Sequence, residues 1–124
     1  MCLCRQEVLH HDGGIAVCDS REIDMSFSLN RFVRCARSAA AGTRPMAAVK
    51  ALISQTFADP QGIAKAVGSF ISADECLYED DEVSVYWVRF APHELVPPHN
   101  HRMHAFLGVY EGIEVNLLYR QAES

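Results

Sequence analysis

The chain has 124 residues, enough for one domain, and its 49% hydrophobic and 22% charged content is ordinary for a globular protein. A net charge of −5 argues against a nucleic-acid or anionic-membrane partner, because neither attracts an acidic surface. No apolar run approaches the ~20 residues that span a bilayer, and residues 1–12 lack the apolar core of a secretory signal, so the expected location is cytoplasmic.

Residues 1–24 show neither a helical nor a strand period and are expected to form an extension outside the folded domain. The five cysteines, Cys2, Cys4, Cys18, Cys35 and Cys76, are odd in number and contain no CxxC pair. They suggest neither a disulfide framework nor a zinc ribbon, and Cys2 and Cys4 read as reduced thiols.

Residues 25–70 read as helical. Leu29, Phe32, Val33 and Ala36 follow one another at i, i+3, i+4 and i+7, so they share one helix face. Ser26 or Ser28 can cap that helix, and Gly42 is placed to end it. Pro45 suits the first turn of a second helix, with Met46, Val49, Ile53 and Phe57 as its apolar stripe and Leu52 beside them. Asp59-Pro60 stops it, and Asp59 can cap a short third helix with Ile63, Ala66 and Val67 facing inward and Gly68 at its end.

The period changes to 2 at residues 83–90, where Val83, Val85 and Trp87 alternate with Ser84 and Tyr86, the pattern of a strand. The acidic run Glu79-Asp80-Asp81-Glu82 before it reads as a solvated turn, since it lacks the alternation and glycine of a calcium loop. Residues 91–98 form a loop. Strands are expected at Ala105 to Tyr110 and Ile113 to Tyr119, joined at Glu111-Gly112. Helices followed by antiparallel strands fit an α+β fold or an all-β barrel with a helical preface.

Four of the six histidines, His93, His99, His101 and His104, fall within twelve residues. Side chains at i and i+2 of a strand share a face, so His99 and His101 can turn both imidazoles toward one ion. Neutral imidazole binds iron, zinc, copper and nickel. His104 has the opposite parity and joins them as a third ligand only if a bulge reverses it. His93 reads as an exposed loop residue, Arg102 as exposed, and Trp87, Phe106 and Tyr110 as core or barrel lining.

The segment PPHNHRMHAFLGVYEG (residues 97–112) resembles the first motif of the cupin superfamily: His-x-His, three residues, a ligand position, six residues, then glycine. In this chain those positions are His99, His101, Ala105 and Gly112. The likeness extends over residues 25–120 to bacterial cysteine-dioxygenase-like cupins, although two positions depart from that family's usual residues. His93 stands where a glycine is usual, and His104 where a tryptophan is usual. The resemblance implies a mainly β fold with an α-helical N-terminal part, residues 71–124 being the first half of a cupin (double-stranded β-helix, jelly-roll) barrel. It implies His99 and His101 as ligands of Fe(II) or another divalent transition metal. Alanine at 105, where many cupins carry a carboxylate, matches the three-histidine thiol dioxygenases. The implied reaction adds both atoms of O₂ to a small thiol, giving a sulfinate.

The family's third histidine lies on a later strand, and no histidine follows His104 here. The expectation is therefore an incomplete barrel with impaired activity, able to form a homodimer through unpaired strand edges. The alternative is a non-catalytic module that binds metal weakly or not at all.

Overall fold

The computed structural model describes residues 2–5, 26–120 and 122. These residues form four short strands and three helices: β1 (Cys2–Arg5), α1 (Leu29–Ala41), α2 (Pro45–Thr56), α3 (Pro60–Val67), β2 (Asp74–Glu79), β3 (Val83–Val88) and β4 (His104–Leu107). The strands form one antiparallel sheet in the order β2-β3-β1-β4. None of the three helices is long and apolar enough to cross a membrane.

The helices start and stop where local chemistry directs. The Ser28 hydroxyl accepts from the N–H of Arg31 at 3.4 Å, which satisfies one of the free donors of the first turn of α1. Pro45 opens α2 at a position that needs no N–H. Asp59 Oδ1 accepts from the N–H of Gly62 at 3.0 Å and caps α3, which ends at Gly68 with φ of +71°, a conformation that costs glycine nothing.

The core lies between the helices and one face of the sheet. Phe32, Val33, Ala36 and Ala40 of α1 and Val49 of α2 close on Val83 and Val85 of β3, with Leu52, Ile53, Phe57 and Phe106 packed around them. This is the face that the alternation in β3 predicts. Trp87 continues the same row, packed against Phe70 with ring centroids 5.0 Å apart. On α2 the outcome is mixed, since Val49 is buried and Met46 is exposed.

The mainly β, partial cupin barrel expected from the resemblance is not the observed fold. Helices of 13, 12 and 8 residues outweigh strands of 4, 6, 6 and 4 residues. A barrel removes its sheet edges by closure. Among the described residues β2 and β4 remain edges, and α1 and α2 cover the apolar face that a second half-barrel would cover. The architecture is a two-layer α+β arrangement, with the helices on one face of an open sheet.

Three local differences accompany that correction. Strand β2, unexpected from the sequence, pairs with β3 through a bulge between Cys76 and Tyr78, which interrupts the strand's alternation. The strand expected over Ala105 to Tyr110 is only His104–Leu107. Residues 113–119 form no strand, and Ile113, Val115, Leu117 and Tyr119 are exposed, so a homodimer through this edge would first require those residues to pair.

Of the 24-residue extension, Cys2–Arg5 lies in the sheet between β3 and β4, with Leu3 opposite both Val85 and Phe106. The rest of the extension lies outside the described residues. Cys35 is disulfide-bonded, and Cys76 is free and exposed. The odd cysteine count and irregular spacing gave no sign of that bond.

Candidate functional site

The loop between β3 and β4, residues 89–103, carries His93, His99 and His101. His99 and His101 are exposed and lie in no strand, so strand alternation does not bring them together. A turn does. The side-chain oxygen of Asn100 accepts from the N–H of Arg102 at 2.6 Å, and Arg102 takes a left-handed φ of +55°. Folded this way, the His99 and His101 rings meet edge to face with centroids 4.8 Å apart and Nε2 atoms 3.2 Å apart.

The second nitrogen of His99 fixes its tautomer. Nδ1 lies 2.9 Å from the Pro97 carbonyl oxygen, and a carbonyl can only accept, so Nδ1 carries the proton. Nε2 of His99 then presents a lone pair, and the hydrogen between the two Nε2 atoms belongs to His101. An imidazole whose far nitrogen donates to a backbone carbonyl is the usual arrangement behind a metal ligand.

The separation also fits an ion. Two nitrogens each about 2.1 Å from one ion at the tetrahedral angle lie about 3.4 Å apart, and at a right angle about 3.0 Å. The observed 3.2 Å falls between these values. A divalent ion could therefore replace the shared hydrogen, with His101 moving its proton to Nδ1. The separation alone matches two adjacent positions around one divalent ion.

His104 is exposed at the start of β4, opposite Arg5 in the register. Among the described residues no group of three or more His, Cys, Asp or Glu side chains is gathered closely enough to hold a metal. His104 is thus not assembled with His99 and His101. His93 is exposed at φ +63°, and Arg102 is exposed. Trp87 is buried in the sheet layer, where its indole N–H donates to Tyr110.

A feature without a local sequence signal is the company His101 keeps. It lines an open cleft of about 580 Å³ together with Glu79, Asp80, Asp81, Tyr86 and Met103. The acidic turn between β2 and β3 therefore faces the histidine loop across a gap. Two sequence segments some twenty residues apart meet here because the 89–103 loop returns the chain to the sheet end where β3 begins, Arg5 lying opposite both Val83 and His104.

Hydrogen bonds organise that turn. Asp80 Oδ1 accepts from the N–H groups of Glu82 and Val83, both at 2.8 Å. Its Oδ2 accepts from the Tyr78 hydroxyl at 2.6 Å and lies 3.0 Å from Arg37 Nε. Burial opposes ionisation of Asp80, but these donors and the guanidinium together outweigh it and hold the carboxyl below its ordinary range. The same bond raises the Tyr78 hydroxyl. Tyr86 donates to Glu79 Oε2 at 2.8 Å, and that hydrogen bond with the Glu79 charge pushes its hydroxyl up to about 12.

Comparison with protein-family models, curated proteins and solved structures found no match to this chain.

Proposed function

We propose that this chain is a metal-binding module that takes one divalent transition ion on His99 and His101. The observation that carries the reading is the 3.2 Å separation of their Nε2 atoms, together with the 2.9 Å bond from His99 Nδ1 to the Pro97 carbonyl. Nitrogen ligands of this kind suit Fe(II), Zn(II), Co(II) and Ni(II). The loop is exposed, so an ion can enter without opening the core.

The catalytic version of this reading, oxidation of a small thiol to a sulfinate with O₂, remains a proposal resting on the motif. Its support is the HxH spacing with alanine at 105. Against it stand an open sheet in place of a barrel and the absence of a third gathered ligand among the described residues. Binding without catalysis fits those observations better. A cytoplasmic location is also a proposal, and the disulfide at Cys35 weighs against it because such bonds are rare in the cytosol.

Thermal melting with and without Zn(II) tests the binding reading. An ion that binds only the folded chain stabilises it by about 2.7 kcal/mol at a free concentration of 100 Kd. Zn(II) should raise the wild-type melting temperature by several degrees and leave His99→Ala and His101→Ala unmoved. An equal rise in all three proteins would remove these histidines from the site.

A further inference from the structure

Two histidines make an incomplete site, because protein metal sites usually present three or four side chains. The cleft that His101 lines brings three carboxylates to its opposite wall, Glu79, Asp80 and Asp81. Two of them already have partners. Both oxygens of Asp80 accept hydrogen bonds, from two backbone N–H groups and from Tyr78, with Arg37 alongside. Glu79 accepts from Tyr86. Asp81 is exposed and has no hydrogen-bond or ion-pair partner among the described residues.

We propose that Asp81 is the third protein ligand of the His99–His101 site, reached when the histidine loop moves across the cleft. This inference rests on the metal-binding reading above. Two neutral imidazoles leave the full double charge of the ion in place. One aspartate halves it and completes a set of two nitrogens and one carboxylate oxygen, a combination that suits ferrous, cobalt and zinc ions. The loop has the freedom to move. From Ala91 to His101 it is exposed, and every hydrogen bond within residues 91–102 joins positions two or three apart. Among the described residues no long-range hydrogen bond holds that stretch open. The turn opposite is fixed by the Asp80 network and offers a stationary wall.

Cobalt(II) titration followed by visible absorption tests the assignment, using wild type, Asp81→Asn, Glu79→Gln and His99→Ala. Asp81 and Glu79 are exposed, so neither substitution disturbs the core. Each removes one negative charge from the same cleft, so Glu79→Gln controls for charge alone. Asp81→Asn should weaken cobalt binding about tenfold or more and change the ligand-field bands. Glu79→Gln should bind within about twofold of wild type with unchanged bands. If His99→Ala weakens binding but Asp81→Asn keeps wild-type affinity and spectrum, the histidine pair stands and the aspartate assignment fails. Equal weakening in Asp81→Asn and Glu79→Gln with unchanged bands also overturns it, since charge alone then explains the loss. If wild type binds no cobalt, the histidine-pair reading fails and the aspartate with it.

Discussion

The indole N–H of Trp87 donates to the hydroxyl of Tyr110 at 2.5 Å, tying β3 to the segment that follows β4. Trp87 is 5% exposed, so its N–H has little access to replacement water. Tyr110→Phe strands that donor and should cost about 1–3 kcal/mol. Chemical denaturation measures the loss. Trp87 is the sole tryptophan, so its emission should shift in the same variant without interference.

Gly108 sits against Phe57, and a Cβ at position 108 would land on the Phe57 ring. Gly108→Ala should therefore destabilise by about 1–3 kcal/mol through overpacking. Trimming the ring relieves the clash, so Gly108→Ala with Phe57→Leu should cost less than the two single variants added together. Additive losses would mean that the two positions are not in contact.

Asp80 joins the β2–β3 turn to α1 through Arg37 and to β2 through Tyr78. Asp80→Asn should lose about 1–2 kcal/mol at neutral pH, where the ionised carboxylate is the better acceptor. The folded-state carboxyl titrates below its unfolded value. Its contribution is therefore full above about pH 4 and fades as pH falls through the folded value. Melting curves of the two proteins should converge on the acid side.

Tyr86 carries the opposite dependence. Its hydroxyl is held up to about 12 by the Glu79 carboxylate, above the ordinary tyrosine value. A group raised on folding stabilises fully below its unfolded value, about 10, and loses that contribution as pH rises through the folded value. Tyr78 is raised as well, so ultraviolet titration should show late tyrosine ionisation in wild type whose Tyr86 component disappears in Tyr86→Phe. Glu79→Gln should bring it earlier, since the charge that opposes ionisation is gone.

Among the described residues, strand β1 is the sole partner of β4 in the sheet. Deleting residues 1–5 removes both the link between β3 and β4 and the backbone partners of His104–Leu107. The deletion should lower the melting temperature and speed amide exchange in β4. Unchanged exchange at Phe106 and Leu107 would contradict that pairing.

The helices were legible in the sequence because short-range rules govern them. Ser28, Pro45, Asp59 and Gly68 mark their ends through local hydrogen bonding and backbone preference. Strand β3 was legible because Val83, Val85 and Trp87 alternate. Strand β2 was hidden by its bulge, which moves Leu77 and Tyr78 together onto the core and breaks the period of two. The alternating residues 113–119 looked like a strand, yet alternation supplies only a suitable pattern. Pairing needs a partner, and Ile113 and Leu118 stay almost wholly exposed.

The candidate site was legible in part. The sequence marks His99 and His101 as a pair, but through a strand geometry that the structure replaces with the Asn100–Arg102 turn. The family likeness matched residues near the histidines and carried over a barrel that the helices preclude. The facing carboxylates have no local signature, because their approach depends on how β2, β3 and the loop are stacked.

The central claim is that His99 and His101 bind one metal ion together. Anaerobic equilibrium titration with Fe(II) tests it most directly, comparing wild type with His99→Ala, His101→Ala and His104→Ala. One ion should bind per wild-type chain. Binding should weaken about tenfold or more in both the His99 and His101 variants and stay near wild type in His104→Ala. Wild-type affinity in both His99→Ala and His101→Ala would contradict the claim.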